Sequence, residues 1–253
     1  MLKTRVIPVL LLKNKGLVKS RQFKNETYLG DPINAVRIFN DKEVDELIFL
    51  DTMASKVKRP PDFDLIGQIA TECFMPFAYG GGIMDMETSK RLLAIGVEKL
   101  IVNTLAFLSL DTVKKMVESF GSQSVIGSID IKKNMWGKYQ VYSHANCDVL
   151  EKDPVTWAQK LVEAGVGEIM LNAVDRDGMM NGYDNDLIKK VTASVPVPVI
   201  ACGGACNLED FVNATKSAGA SAVAAGSMFV FHGKHRAVLI NFPNRELLEK
   251  ILE

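Results

Sequence analysis

The chain has 253 residues, is 47% hydrophobic, and balances 30 basic against 30 acidic side chains, for a formal net charge of zero. That length buries a sizeable core, and its scattered, balanced charge excludes a nucleic-acid binder, which needs a clustered basic face. Four cysteines (Cys73, Cys147, Cys202, Cys206) form no CxxC pair and the three histidines do not join them at ligand spacing, so the expectation is a reduced, cytoplasmic protein without metal or cofactor.

Val6 to Leu12 is a continuous apolar run, as expected of a parallel strand covered on both faces. Although Lys3 and Arg5 precede it, seven apolar residues are too few for a signal sequence, and no stretch is long enough to span a membrane. Lys13 to Pro32 is polar and long for a βα connection, which makes it a candidate lid. Helix one is expected over about Pro32 to Phe39, strand two over Glu46 to Asp51, and helix two over about Phe63 to Thr71. Strand three is Pro76 to Tyr79, helix three runs from near Asp85 to Gly96, and strand four is Lys99 to Val102.

Helix four shows the helical period, with Asp111 read as N-cap, then Val113, Met116, Val117 and Phe120 on one stripe before Gly121. Strand five is Val125 to Ile131. The insertion Lys132 to Lys152 alternates at Tyr139, Val141 and Tyr142 as a small hairpin would. Helix five opens with Asp153 as N-cap and Pro154 at its first position, then stops at Gly165. Strand six is Glu168 to Ala173, helix six about Asp186 to Ala193, strand seven Val199 to Ala201, helix seven Leu208 to Ser217, strand eight Ala222 to Ala225, and the last helix Arg245 to Leu252.

The two halves of this series repeat. Gly81 and Gly203 lie 122 positions apart, as do the starts of Lys99 to Thr104 and Ser221 to Ser227, while Asp51 and Asp175 lie 124 apart. A repeat of that length points to a duplicated half-domain. Four strand-helix units per half make one (β/α)8 barrel domain over 1–253, with half-barrels of about 1–122 and 123–253. The glycines that end strands three and seven leave bare backbone N–H groups for an anion, so both turns read as phosphate cradles for a phosphorylated small molecule.

In such a barrel the chemistry lies at the carboxyl ends of the strands. Collected there are Leu11, Leu12, Asp51, Gly80, Gly81, Gly82, Asn103, Thr104, Asp130, Asn172, Asp175, Arg176, Asp177, Gly178, Cys202, Gly203, Gly204, Gly226 and Ser227. Asp175-Arg176-Asp177-Gly178 also reads as a tight turn. Asp130, at the tip of an apolar strand, is the candidate acid or base.

Gly80-Gly81-Gly82-Ile83, Val102-Asn103-Thr104, Phe120-Gly121-Ser122-Gln123, Ile129-Asp130, Asp175-Arg176-Asp177-Gly178 with Gly182-Tyr183-Asp184, and Gly203-Gly204-Ala205 together resemble the HisF family, the cyclase subunit of imidazole glycerol phosphate synthase. The resemblance covers nearly the whole chain. It implies a (β/α)8 barrel whose two cradles hold the two phosphates of an elongated ribonucleotide. It also implies a glutaminase (HisH-like) subunit docked at the amino-terminal face as a heterodimer, with ammonia passing through the barrel. Arg5, Glu46, Lys99 and Glu168 match the charged gate of that passage, and Lys19 matches a lysine that holds the substrate.

One departure bears on chemistry. The resemblance implies a pair of carboxylates on strands one and five; Asp130 is present, but Leu11 occupies the first position. A hydrocarbon transfers no proton, and such catalysis is worth roughly 10²- to 10⁴-fold. The same change marks HisF-like proteins of surface-polysaccharide gene sets, which implies ammonia delivery to a separate sugar-amidating enzyme. Two alternatives stay open: a genuine cyclase in which Asp51 or Asp175 covers for the missing acid, and a scaffold that activates a glutaminase without conducting ammonia. The sugar isomerase of the same pathway also needs an acid on strand one, so Leu11 counts against it.

Overall fold

A computed structural model describes residues 4–146, 148–151 and 153–252; Lys3, Cys147 and Lys152, which entered the sequence reading, lie outside the described residues. Eight parallel strands form the barrel wall: β1 (Arg5–Lys13), β2 (Leu47–Asp51), β3 (Phe77–Gly80), β4 (Lys99–Val102), β5 (Val125–Lys133), β6 (Glu168–Ala173), β7 (Val199–Cys202) and β8 (Ala222–Ala225). Each pairs with its successor, and β8 pairs with β1 from Arg5 opposite Ala222 to Pro8 opposite Ala225, which closes the barrel. The expected (β/α)8 fold is therefore present.

The helices α1 (Pro32–Asp41), α2 (Phe63–Glu72), α3 (Met86–Ile95), α4 (Leu110–Phe120), α5 (Pro154–Glu163), α6 (Asn185–Thr192), α7 (Leu208–Val212) and α8 (Arg245–Leu252) lie between or after the strands. Their starts follow capping chemistry. Asp31, Asp62, Asp85, Asp153 and Asp184 each accept a backbone N–H of the first turn, and Asn207 and Asp210 form a reciprocal capping box. Helix four departs from the expectation: Ser109, not Asp111, is the cap, because its side chain accepts the Thr112 N–H while Asp111 pairs with Lys115 one turn on. Helix seven ends in a π-helical turn, Asn213–Ser217.

Strand geometry sorts the core into two populations. On β1, Val6, Leu10 and Leu12 face the helices, whereas Ile7, Val9 and Leu11 face the barrel axis with Ile48, Ala78, Ile101, Ile126, Met170, Ile200, Ala222 and Ala224. Alanines beside larger aliphatic residues let side chains fill the interior.

The expected polar lid is instead ordered sheet. Gly16–Arg21 runs antiparallel to β1, with Leu11 opposite Val18, and Lys24–Gly30 folds back upon it. Asn14, Lys15, Gln22 and Phe23 all hold positive φ, which lets two-residue turns reverse the chain. The insertion after β5 does form the expected hairpin, from Tyr139–Ser143 and Asp148–Glu151. Phe23 and His144 meet edge to face, 5.1 Å between centroids, so the two hairpins touch above the carboxyl ends.

Ala222 is fully buried inside the wall. Ala222→Leu is expected to lose about 1–3 kcal/mol by overpacking, read as a lower urea midpoint with an unchanged slope.

Candidate functional site at the carboxyl rim

Arg5, Lys99 and Glu168 are the first residues of β1, β4 and β6, and Glu46 immediately precedes β2. Because the strands are parallel, all four side chains gather at the amino-terminal mouth. Arg5 donates to Glu46 and to Glu168, while Lys99 Nζ lies 3.0 Å from Glu46 Oε2 and 3.4 Å from Glu168 Oε2. The result is a closed ring of alternating sign with no net charge. Burial opposes the charge on Arg5, but Glu168 and Glu46 together outweigh it and raise its pKa. Glu46 and Glu168 are buried, and Glu46 Oε1 finds no hydrogen-bond partner. A ring with one member removed would leave a buried charge uncompensated.

At the opposite end a cavity of about 160 Å³ opens among the carboxyl ends of the strands. Its wall includes Leu11, Lys19, Asp51, Gly81, Gly82, Asn103, Thr104, Asp130, Asp177, Gly178, Gly203, Gly204, Gly226 and Ser227. Asp175 is not part of this wall. Its Oδ2 accepts the Lys133 backbone N–H at 2.6 Å and its carbonyl accepts from Gln22, so it fastens the two hairpins.

Asp130 shares the inward parity of Ile126 and Ser128 on β5. Its carboxylate accepts Asn103 Nδ2 at 3.2 Å and Asn172 Nδ2 at 3.3 Å. Burial pushes its pKa up to about 7, and nearby Asp177 adds to the rise, while the two amides oppose it. The group therefore changes protonation near neutral pH, as an acid-base residue needs.

The other carboxylates are engaged. Asp51 accepts the N–H groups of Met53 and Ala54, each at 2.9 Å, and its second oxygen meets Arg59 at 2.7 Å. Asp177 meets buried Lys19 at 2.8 Å and accepts from Ser20 at 3.2 Å. The charge of Lys19 is therefore neutralised inside the protein. Leu11 presents hydrocarbon to the same cavity.

The glycine turns are tightly built. Gly81 has φ +116, and a Cβ there would lie 2.5 Å from the Asp51 carbonyl; Gly204 has φ +115, and a Cβ would lie 2.1 Å from the Gly182 carbonyl. Only glycine fits either place. The Gly82 N–H is met by Ser55 Oγ at 3.0 Å. Ser55 and Arg59 lie in a loop, where no periodicity marks them, and Ser20 lies in the strand Gly16–Arg21, which the sequence does not announce. Asn172, expected at the carboxyl end of its strand, shares the inward parity of Glu168 and Met170 and lines the cavity. Its Oδ1 is buried without a partner.

Among the described residues no cluster of His, Cys, Asp or Glu is suited to a metal ion, and no helix is long and apolar enough to cross a membrane.

A closed eight-stranded barrel with a buried carboxylate and glycine-built turns around one rim cavity belongs to the class of (β/α)8 barrels with their site on that rim. The model of the family described as histidine biosynthesis protein matches residues 5–236. A Pseudomonas aeruginosa protein, provisionally named imidazole glycerol phosphate synthase subunit hisF2, is 52% identical over 98% of this chain and 99% of its own. A Leptospira interrogans protein, provisionally named subunit HisF of the same synthase, is 46% identical over 97% of each. The HisF subunit of Geobacillus kaustophilus is 38% identical over 94% of each. The chain belongs to the HisF family of histidine biosynthesis proteins.

Asp130 is held protonated more firmly by the folded state than by the unfolded chain, where its pKa is about 3.9. Its ionisation therefore opposes folding, and the contribution of Asp130 to stability falls as pH rises from about 4 to about 7. Asp130→Asn is expected to match wild type below pH 4 and to exceed it above pH 7, by up to roughly 4 kcal/mol, in denaturation midpoints taken across that range.

Proposed function

We propose that this HisF-type chain pairs with a glutaminase subunit, conducts ammonia from the amino-terminal ring to the rim cavity, and has weak cyclase chemistry. The observation that carries the reading is the isolation of Asp130. Leu11 occupies the position of its partner acid, Asp51 and Asp177 are each tied to a cation and further donors, and Asp175 lies outside the wall. Neither alternative acid considered from the sequence is therefore free to replace it.

The conduit reading is supported by what lies between ring and cavity. Ile7, Ile48, Ala78, Ile126, Met170 and Ile200 line the axis with hydrocarbon. Neutral ammonia loses little on entering such a medium, whereas ammonium pays a heavy desolvation cost. The glutaminase hydrolyses glutamine to glutamate and ammonia, the ring passes the neutral molecule, and the apolar interior keeps it from taking up a proton. In the rim cavity Asn103 and Asn172 hold Asp130, while the two glycine turns and Thr104 and Ser227 offer donors to a phosphorylated ligand.

The nitrogen then reaches a separate sugar-amidating enzyme of surface-polysaccharide synthesis. This step is supported by the change at position 11, shared with the HisF-like proteins of such gene sets. In this reading the complex is a cytoplasmic heterodimer, and the chain forms one barrel domain of two related halves.

With its glutaminase partner, the chain is expected to release ammonia from glutamine, while the barrel alone with ammonium makes little imidazole glycerol phosphate. Leu11→Asp is expected to raise cyclase turnover by roughly 10²-fold or more, measured with the ribonucleotide substrate. Wild-type turnover already equal to that of the variant would end the reading. Glu46→Ala is expected to uncouple glutamine hydrolysis from delivery of ammonia to the rim; a scaffold would keep coupling intact.

A further inference from the structure

Lys19 is already neutralised by Asp177 and Arg59 by Asp51, so neither lysine nor arginine at those positions brings spare charge to the cavity. Arg236 differs. It lies between the short strands Phe231–His232 and Ala237–Val238, in a segment that the sequence reading left without a role. Its Nη1 donates to the Gly178 carbonyl at 3.0 Å, its Nη2 to Ser227 Oγ at 3.3 Å, and its guanidinium lies 4.5 Å above the Phe231 ring. Gly178 and Ser227 both belong to the cavity wall, in the half that holds Gly203, Gly204 and Gly226, while Arg236 itself stands beside that wall and is not among its lining residues. Two of the five guanidinium N–H groups are thus used in fixing its position, and its charge lies within hydrogen-bond distance of Ser227 Oγ in the wall.

A second cation stands beside it. The Arg21 Cα lies 3.0 Å from where a Cβ on Gly178 would be, so Arg21 and Arg236 flank the same glycine. Burial and the charge of Arg21 both lower the pKa of Arg236. Among the described residues no carboxylate comes within 4 Å of either guanidinium. Two neighbouring cations without a counter-charge, one of them hydrogen-bonded only to neutral acceptors, make an unfavourable arrangement that an anion would relieve. A planar fork suits the oxygens of a phosphate group, which a lysine would meet only as a point charge.

We propose that Arg236, with Arg21, is the specificity-determining charge at the second glycine cradle and selects a phosphate dianion there. The proposal rests on reading that cradle as an anion site. It adds to backbone N–H groups, which accept any small anion, a side-chain pair that favours double charge. The phosphate of an ester and the free ion share this chemistry.

The test is titration of the full chain with inorganic phosphate and with ribose 5-phosphate, followed calorimetrically at pH 8. Arg236→Gln retains a donor toward Gly178 but loses the charge, and is expected to weaken phosphate binding about tenfold or more. Arg236→Lys is expected to recover part of that loss, which a merely structural role would not produce. Arg21→Gln, at an exposed position, is expected to weaken binding several-fold, and it keeps the proposal testable should Arg236→Gln fold poorly. Tighter binding of ribose 5-phosphate than of inorganic phosphate identifies an ester as the source, and equal affinities identify the free ion. Wild-type binding that neither the Arg236 nor the Arg21 variant alters overturns the arginine assignment alone. Failure of the wild-type chain to bind phosphate at all overturns the anion site together with it, and leaves ammonia conduction, read by the Glu46 variant, to stand separately.

Discussion

In a closed barrel of parallel strands every second side chain points to the axis, and this parity decides both ends of the molecule at once. Counting from Arg5, the axis receives Ile7, Val9 and Leu11; counting from Glu168, it receives Met170 and Asn172. The same rule carries Lys99 inward at the bottom and Asn103 at the top, and sends Asp130 into the cavity above Ile126 and Ser128. A one-residue slip in any strand would bury the charges of the ring among the helices. Closure between β8 and β1 and between β5 and β6 therefore underlies the ring, the apolar middle and the rim cavity alike.

Charge is handled differently at the two ends. At the amino-terminal mouth two acids and two bases cancel within a closed ring, which is how buried ions persist in a low dielectric. At the rim, Lys19 with Asp177 and Arg59 with Asp51 cancel in pairs, while Asp130 has only amide donors and Arg236 only neutral acceptors. These two uncompensated groups are where stability is given up. Strain and unfavourable electrostatics of this kind persist when the surrounding fold over-determines them, and they collect at functional sites.

The change at position 11 gains its meaning from these neighbours. The partner carboxylate that the resemblance implies at position 11 could be replaced by another acid on the rim, of which the sequence offers three. The geometry occupies each of them: Asp51 closes a turn, Asp175 fastens a backbone N–H outside the wall, and Asp177 neutralises Lys19. None of the three is free to partner Asp130, and the proposed weakness of the cyclase chemistry rests on that.

Much of this was legible from residue order. Continuous apolar runs marked all eight strands, because strands covered on both faces need no polar alternation, and Asp153 before an apolar period marked the start of helix five. The glycine turns were legible because positive φ at a close backbone approach leaves no other residue type. The hairpin Gly16–Gly30 was hidden, since its turns place Asn14, Lys15, Gln22 and Phe23 at positive φ without the usual glycines and its outer strand is exposed and polar. The cap at Ser109 was hidden as well, because Asp111 offered the same chemistry two residues on and local sequence does not arbitrate between them. Sequence by itself determined the barrel, since its strands are written in the order and period of residue types, whereas Leu11 and the four charges at the strand starts took their meaning from the resemblance to the HisF family. Only the tertiary structure decided which charges are spent and which stand alone, because Lys19 with Asp177 and Arg236 with the Gly178 carbonyl are pairings between segments far apart in the chain that barrel closure brings together.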